Sequence, residues 1–326
     1  MTARIVYLGT PEFACPALKR LARRPDVEVV LVVTQPDRPA GRGRRLQATP
    51  VALYAERAGI PVYRATSLRT ADSRGPIVEL APDLIVVAAF GLILGRSILE
   101  LPGHGCLNLH ASLLPAYRGA NPIAAAIRAG ARMTGVSLMR MERGLDTGPV
   151  LAMGEVDIND DDTTASLTPT LAEAAGLLLD RHLSDLLSGR LEAVPQPAEG
   201  ATCTRPMTKD DGWIDWRSSA ADLERHVRAM WSWPRAWTTL PGGDRLQVHR
   251  SRVSDHATGQ PGRIVNADGL LVVACGDRSL VLDTVQLPGG RPVAGSVLVT
   301  RGGASPGDVL GATGAPPASA PLVCPC

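Results

Sequence analysis

The sequence predicts an α/β protein with two domains. We expect a doubly wound, mostly parallel, Rossmann-like N-terminal domain, followed by a smaller C-terminal β-barrel (OB-like) domain. Apolar runs at residues 4–8, 27–33 and 83–89 alternate with helical patterns, which is typical of a parallel sheet. The composition then changes to a stretch rich in Pro, Ala and Thr at 193–209, which indicates a linker. Short apolar runs separated by turn signals follow, and 326 residues are enough for about two domains.

The elements are predicted in alternating order along the first domain. Strands are expected at 4–8, 27–33, 83–89, 105–110 and 135–141, and helices at about 11–24, 50–58, 121–129 and 164–188. Pro11 suits a first helical turn, because the amide hydrogen that it lacks has no partner there in any case. Gly189 is placed to end the last of these helices.

The second domain has a different pattern. Short strands are expected at 263–265, 270–274 and 279–285, and Asp268-Gly269 is a hairpin signal between two of them. We therefore place the N-terminal domain at 1–190, a linker at 191–207 and the C-terminal domain at 208–301. The tail at 302–326 is rich in Gly, Ala, Pro and Ser, and we expect it to be disordered.

The composition excludes some classes of protein. Hydrophobic residues make up 45% and charged residues 20%, which is ordinary for a globular protein, and no window of about 18 apolar residues predicts a membrane span. The opening MTARIVYLGT lacks the pattern of a signal peptide, so a cytoplasmic location is expected. The six cysteines include no CxxC pair, and we expect reduced, structural or incidental thiols and no metal site.

The segment TQPDRPAGRGRRLQ at 34–47 is strongly basic. It contains two prolines, two glycines and four arginines, which are Arg38, Arg42, Arg44 and Arg45. Proline and glycine disfavour helices and central strands, so we predict a long loop. The net charge of the whole chain is only +2, but the first fifty residues carry nine Lys and Arg against four acids. This end of the molecule can therefore orient a polyanion.

Two further segments have the residue types of acyl-transfer chemistry. Asn108 and His110 alternate along a predicted strand, so their side chains point to the same side at its carboxyl end, where ligands of α/β sheets bind. Together they can donate hydrogen bonds to one oxyanion. Asp146, in the turn GLDTG at 144–148, could orient the histidine and favour its charged form. A structural histidine and a turn-forming aspartate remain alternatives on these patterns alone.

No nucleophile accompanies these three residues. Ser112 is possible by position, but the GxSxG pattern of serine hydrolases is absent. Its absence indicates direct transfer between two bound substrates.

The segment NLHASLLPAYRG at 108–119 resembles the signature N-x-H-x-S-L-L-P-x-x-R-G of the folate-dependent formyltransferases, and GLDTG resembles their acid loop. The resemblance implies catalytic roles for Asn108, His110 and Asp146. It also implies folate contacts from Ser112, Leu113, Leu114 and Pro115, and a pteridine pocket lined by the backbone of Ala89, Phe90 and Gly91. The chain departs from the family pattern at Tyr117 and Asn121, beside the expected acceptor pocket.

Other motifs resemble the branch of this family that acts on tRNA. They are GTPEFA at 9–14, TQPDRPAGRGRR at 34–45, IDWRSS at 214–219 and WPRA at 233–236. The likeness implies an enzyme that transfers the formyl group of 10-formyltetrahydrofolate, a co-substrate, to the α-amino group of methionyl-initiator-tRNA. No metal, membrane or obligatory protein partner is implied. The tRNA contacts would come from Arg38, Arg42, Arg44 and Arg45, with Arg42 as the first choice.

Four alternatives stay open at this point. A glycinamide ribonucleotide or amino-sugar formyltransferase, or a formyltetrahydrofolate hydrolase, would share the core residues. A dinucleotide-binding oxidoreductase is disfavoured because Gly9-Thr10-Pro11 supplies one glycine where GxGxxG needs three. A module that only binds RNA would leave Asn108, His110 and Asp146 without a role.

Overall fold

The computed structural model describes residues 2–40, 45–256, 259–265, 269–316 and 320–326. The strands are β1 (Ala3–Gly9), β2 (Val27–Thr34), β3 (Arg38–Ala40), β4 (Arg45–Gln47), β5 (Val62–Arg64), β6 (Leu84–Ala88), β7 (Cys106–His110), β8 (Arg118–Gly119), β9 (Met133–Arg140), β10 (Val150–Asp157), β11 (Thr202–Thr204), β12 (Ala236–Thr239), β13 (Arg245–Ser254), β14 (Ile264–Val265), β15 (Val272–Ala274), β16 (Ser279–Gln286), β17 (Val293–Ala294) and β18 (Val323–Pro325). The helices are α1 (Cys15–Leu21), α2 (Pro50–Arg57), α3 (Ala71–Val78), α4 (Arg96–Leu99), α5 (Pro122–Arg128), α6 (Thr164–Leu187), α7 (Ala220–Ala229) and α8 (Gly295–Thr300). Within these described ranges, none of the helices combines the length and the apolar character that a membrane crossing requires.

A seven-stranded sheet in the order β10-β9-β7-β6-β1-β2-β5 forms the N-terminal part. Five adjacent strands of this sheet, β7, β6, β1, β2 and β5, run parallel, whereas β9 and β10 are antiparallel to their neighbours. The prediction of a mostly parallel, Rossmann-like sheet is therefore confirmed. Because helices cover both faces, the central strands are continuously apolar, and all five residues of β6 are buried.

Helix α6 packs along one face of this sheet, beside α1, β9 and β10. Its first turn is closed by a capping box: the Thr163 hydroxyl accepts a hydrogen bond from the Ser166 amide at 3.2 Å, and the Ser166 hydroxyl accepts one from the Thr163 amide at 2.9 Å. Leu171, Ala175 and Leu179 bury the inner stripe at helical spacing. The helix ends at Leu187, and Gly189 has a φ of 71°, as expected for a terminating glycine.

The C-terminal strands form an antiparallel sheet in the order β12-β13-β16-β15-β14, and β17 also pairs with β16. Strands β14 and β15 lie on either side of the predicted hairpin signal, of which Gly269 has a φ of 80° and Asp268 lies outside the described residues. Five buried residues near this sheet belong to the core at the start of the domain: Ile214, Trp216, Leu223, Val227 and Met230. The ring nitrogen of Trp216 donates a hydrogen bond to the Thr238 hydroxyl at 3.1 Å.

The basic segment is a hairpin and not the loop that the sequence predicts. Strand β3 pairs with β4 in antiparallel register, from Arg38 opposite Gln47 to Ala40 opposite Arg45. We call residues 38–47 the basic hairpin; its residues 41–44 lie outside the described part of the chain. Pro39 is compatible with pairing because a two-stranded ribbon leaves one side of each strand unpaired. Strands β5 and β10 and helix α3 were not predicted, and the helix predicted at about 11–24 is longer than α1.

The disorder expected for 302–326 is wrong for the described part of that segment. Ala304, Leu310 and Leu322 are buried, with exposures of 1%, 2% and 4%. Strand β18 pairs antiparallel with β11, and β11 pairs in parallel with β8, which forms a three-stranded sheet. A few leucines suffice to fix a segment of otherwise polar and small residues, because each buries a full side chain.

The expectation of reduced thiols is wrong for two cysteines. Cys203 of β11 and Cys326, which follows β18, form a disulfide across 123 residues of sequence, with their Cα atoms 5.2 Å apart. The pairing of β18 with β11 brings the two residues together, and nothing in their sequence spacing indicates this. Cys15, Cys106 and Cys275 are buried free thiols, and Cys324 is an exposed one.

Candidate active site

The three polar residues singled out by the sequence meet at the carboxyl edge of the large sheet. Strand β7 ends at His110, and its alternation directs Asn108 and His110 to one side. The loop 144–148 joins β9 to β10, and β9 pairs with β7. Neighbouring strands therefore deliver Asp146 to the end of β7, although the two segments are more than thirty residues apart in sequence.

The Asp146 carboxylate is the centre of this group. Its Oδ1 accepts a hydrogen bond from the Asn108 side-chain amide at 3.1 Å, and its Oδ2 accepts one from the Gly119 main-chain amide at 2.8 Å. His110 Nδ1 lies 3.5 Å from the same Oδ2. The Asp146 side chain is only 13% exposed, so these contacts are made largely out of water, where they are stronger.

The second nitrogen of the His110 ring also has a hydrogen-bond partner. His110 Nε2 lies 2.9 Å from the main-chain oxygen of Tyr117, which can only accept. Tyr117 itself has a φ of 59°, and its amide donates to the Thr202 hydroxyl at 2.8 Å. Burial raises the pKa of its phenol.

The acid loop is tight. Asp146 has a φ of 52°, which a turn-forming aspartate tolerates better than most residues. A Cβ at Gly148 would collide with the main-chain oxygen of Arg140, and a Cβ at Gly144 would collide with the Thr147 hydroxyl. Gly148 is therefore needed for the close packing of the loop on the end of β9, and Gly144 for the tight turn within the loop.

A cleft of about 770 Å³ opens beside these residues. Asn108, His110 and Asp146 line it, as do Ala89, Phe90 and Gly91, which follow β6. Strand β6 is the neighbour of β7, so both groups emerge at the same edge of the sheet. The cleft is large enough for a small ligand and is mostly apolar in its lining.

The segment 89–91 is held from behind. The Phe90 main-chain oxygen accepts hydrogen bonds from the Gln35 side-chain amide at 2.9 Å and from the Thr10 hydroxyl at 3.2 Å. Gln35 Oε1 in turn accepts from the Arg38 guanidinium. The base of the basic hairpin is therefore tied to the backbone that lines the cleft.

Other residues that line the cleft come from segments that were not predicted to belong to the site. They include Thr164 and Thr168 of α6, Thr204 of β11, and Pro206, Met207, Ser232 and Trp233. Trp233 is 49% exposed, although a buried role would be the ordinary expectation for tryptophan. No local pattern marks these residues, because they lie on different elements that meet only in the folded chain.

The segment Ser112–Pro115, for which folate contacts were expected, does not contribute to the lining of this cleft. Ser112 is fully buried, and its hydroxyl donates to the Ala116 oxygen at 2.6 Å. The Leu114 amide donates to the Ser137 hydroxyl at 3.0 Å. These contacts shape the turn that carries Tyr117 and Gly119 to the site.

The predicted tRNA-binding arginines are only partly described. Arg38 and Arg45 lie at the ends of β3 and β4 and are exposed, whereas Arg42 and Arg44 lie outside the described residues. Among the described residues, Arg45 takes part in no hydrogen bond or ion pair that would neutralise it. Leu46 beside it is 72% exposed.

An ion pair between half-buried Arg205 and buried Asp211 fixes the segment that follows β11. Arg205 donates to both oxygens of Asp211, at 2.8 and 2.5 Å, and the Thr208 amide donates to the same carboxylate at 2.6 Å. Burial opposes ionisation of Asp211, but these hydrogen bonds outweigh it and lower its pKa to about 2. Asn121 donates to the Arg205 main-chain oxygen at 2.9 Å, so this departure from the family pattern holds the wall of the cleft.

Comparison with known proteins shows a family for most of the chain. The family model described as formyl transferase matches residues 3–183, and the model described as formyl transferase, C-terminal domain, matches residues 206–301. A relative from Myxococcus xanthus (strain DK1622), named methionyl-tRNA formyltransferase, is 49% identical over 290 residues, which cover 88% of this chain and 91% of the relative. A protein of the same name from Pseudomonas fluorescens (strain SBW25) is 46% identical over 290 residues, with coverages of 88% and 90%.

Solved structures share the fold at low identity. An N-formyltransferase from Helicobacter canadensis, in complex with folinic acid and dTDP-3-aminofucose, aligns with a TM-score of 0.65 at 16% identity, over 86% of this chain and 99% of that one. HypX from Aquifex aeolicus, in complex with tetrahydrofolic acid, aligns with a TM-score of 0.59 at 17% identity, over 91% and 47% of the two chains. At such identities, the likeness concerns the fold alone.

Proposed function

This chain belongs to the formyl transferase family, and we propose on that premise that it transfers the formyl group of 10-formyltetrahydrofolate to the α-amino group of methionyl-initiator-tRNA. The product would serve translation initiation. The relatives that share 42–49% of its residues over most of its length are named for this reaction. The observation that carries the proposal is the convergence of Asn108, His110 and Asp146 on one side of the cleft.

Asn108 and His110 are suited to stabilise the oxygen of the formyl group as it becomes an oxyanion. The Asn108 amide has two hydrogens, and the contact with Asp146 uses one of them. The 3.5 Å between His110 Nδ1 and Asp146 is longer than a normal hydrogen bond, so the Nδ1 hydrogen remains available to an oxygen in the cleft. Two such donors, fixed before the substrate arrives, favour the tetrahedral state over the planar one.

The reaction is a direct transfer. The neutral amine attacks the formyl carbon, a C–N bond to the amine forms, and the bond to the folate nitrogen breaks. The amine loses a proton and the folate nitrogen gains one. Asp146 supports this exchange by holding His110 charged and by offering a carboxylate that a water molecule can use to carry the proton.

The two substrates would enter from different sides. Residues 89–91 form the wall where the family resemblance places the folate ring, and Ser112–Pro115 would support it from the turn. Met207 and Trp233 also line the cleft, and they lie at and after the start of the part of the chain that the resemblance assigns to tRNA. The arginines of the basic hairpin would contact phosphates of the acceptor stem, since guanidinium groups bind phosphate with paired donors.

Finer features of the proposal follow the sequence analysis. We propose a catalytic domain at 1–190, a linker at 191–207 and a tRNA-contacting domain at 208–301 with an OB-like barrel. A cytoplasmic location would match a substrate that is used in translation. The antiparallel order of β12 to β16 supports a small β-domain of this kind.

A transfer assay with competing acceptors tests the proposal. The purified protein is incubated with 10-formyltetrahydrofolate and either methionyl-initiator-tRNA, an amino sugar nucleotide or glycinamide ribonucleotide, and with no acceptor. We expect formylation of the methionyl-tRNA alone. Transfer to a small amine, or release of formate without any acceptor, would reject the proposed substrate while leaving the family intact.

A further inference from the structure

Gln196 makes four hydrogen bonds beside the acid loop. It lies between α6 and β11, fifty residues from Asp146 in sequence. Its amide nitrogen donates to the main-chain oxygens of Asp146 and Gly148, at 2.8 and 2.7 Å. Its amide oxygen accepts from Nε and Nη2 of Arg118, at 3.0 and 2.8 Å. Both amide hydrogens and both lone pairs are therefore used.

The contacts join the acid loop to β8. Arg118 is 8% exposed and precedes Gly119, whose amide binds the Asp146 carboxylate. Arg118 donates hydrogen bonds to Gln196, and Gln196 donates one to the main-chain oxygen of Asp146. Gly119, the residue after Arg118, donates one to the Asp146 carboxylate. The side chain and the main chain of Asp146 are fixed from the same short strand, β8.

The acid loop needs such a fixture. Gly144, Leu145 and Thr147 are exposed, Leu145 by 63%, and Asp146 is half-buried, so these residues gain little from apolar burial. Asp146 also has a positive φ, which a non-glycine residue keeps only where its surroundings impose it. The Gln196 amide supplies one hydrogen bond to the main chain of that residue and a second to the main chain two residues later.

We propose that Gln196 is a positioning residue: it holds the main chain of the acid loop so that the Asp146 carboxylate faces Asn108 and His110. The inference rests on the proposed function, because it assigns Gln196 a role in that reaction. Gln196 does not line the cleft itself. Its loss should therefore change the rate of the chemical step and leave the binding of both substrates nearly unchanged.

Two substitutions separate the roles of the two halves of the amide. Gln196→Met keeps the length of the side chain and removes all four hydrogen bonds. Gln196→Glu keeps an acceptor for Arg118 but, when ionised, sets oxygen against the two loop carbonyls. A matched control is Glu199→Gln, an exposed position in the same segment. The ladder contact between Val194 and Val150, at 2.8 Å in both directions, remains in every variant and keeps the segment in place.

We expect kcat for methionyl-tRNA to fall by roughly 10- to 100-fold in both Gln196 variants, consistent with the loss of a catalytic alignment. KM for each substrate should stay close to that of the wild type and of Glu199→Gln, whereas the melting temperature should fall in Gln196→Met, because the buried Arg118 guanidinium loses its amide acceptor. The rate of Gln196→Glu relative to the wild type should recover as the pH falls, since a protonated carboxyl regains one donor. Gln196→Met should show no such recovery.

The opposite results are distinguishable. Wild-type kcat in Gln196→Met, or a loss confined to KM or to the melting temperature, would overturn the positioning role while the proposed function stands. An equal pH profile for the two variants would overturn the role of the amide donors. A wild-type protein that does not formylate methionyl-tRNA would remove the proposed function, and this inference with it.

Discussion

The proposed catalytic group and the basic hairpin differ in how their charged side chains are held. Asp146 is 13% exposed at its side chain and has partners from β7 and β8. Arg45 is exposed and lies in the basic hairpin, in which β3 and β4 pair with each other. A developing charge is stabilised only by groups that are already aligned, whereas phosphates on a flexible partner can be met by cations in water. In this protein, the charged group that must be aligned before the reaction is buried, and the charged group proposed to contact phosphate is exposed.

The two regions are not independent. Arg38 at the base of the hairpin contacts Gln35, and Gln35 holds the Phe90 oxygen at the wall of the cleft. Asp37 next to the hairpin is paired with Arg64 at 2.9 Å. The base of the hairpin is therefore anchored on the sheet, while Arg45, at the far end of β4, is exposed. Substitutions at the base and at the far part should have different effects.

The largest effect is expected at the centre of the catalytic group. Asp146→Asn should lower kcat by about 10³-fold, because the neutral amide no longer favours the charged imidazole and opposes the Asn108 amide with a second donor. KM values and the melting temperature should change little, and both are measured beside steady-state rates. A kcat within about fivefold of the wild type would mean that the buried carboxylate is structural, and the contrast with the hairpin would fail.

The next effect concerns one oxyanion donor. Asn108→Ala should lower kcat by about 10²-fold, since one donor is lost while His110 remains. Single-turnover formylation with saturating substrates measures this step directly. Asn121→Ala, on the wall of the same cleft, serves as the comparison. An equal loss of kcat in both variants would show that the cleft responds to any truncation and not to the donor in particular.

A smaller effect is expected at the hairpin. Arg42→Ala combined with Arg45→Ala should raise KM for methionyl-tRNA about tenfold and leave kcat and the KM for the formyl donor unchanged. Removing two phosphate contacts should also reduce the slope of log K against log salt concentration by roughly 2. Binding is measured by titration at several salt concentrations. Arg181→Ala, at an exposed arginine of α6, is the control. An unchanged slope in the double variant would leave the hairpin without a role in tRNA binding.

The smallest effect tests the link between the regions. Gln35→Ala removes one hydrogen bond to the Phe90 oxygen, and a net value of about 1 kcal/mol per hydrogen bond corresponds to a change of roughly fivefold. We expect this change in the KM for the formyl donor, measured at saturating tRNA. An effect on the KM for tRNA instead would mean that Gln35 acts through Arg38 and the hairpin.

Much of the site was accessible from the sequence because its signals are local. Alternation along a strand is enough to put Asn108 and His110 on one side, and glycines around an acid are enough to predict the tight turn of Asp146. The parallel sheet followed from apolar runs that alternate with helices. The basic hairpin was recognised as basic but not as paired, since Pro and Gly in a short segment indicate a turn and do not reveal two strands of three residues.

The residue pattern alone therefore indicated the order of the main strands and helices and the three polar side chains that meet at the cleft. Only the tertiary structure decided which distant residues support them. Gln196 reaches Asp146 across fifty residues, Trp233 reaches the cleft from beyond α7, and Cys326 reaches Cys203 through a strand at the end of the chain. The physical reason is that hydrogen-bond partners and packing neighbours depend on where whole elements dock, and no short-range periodicity records that position.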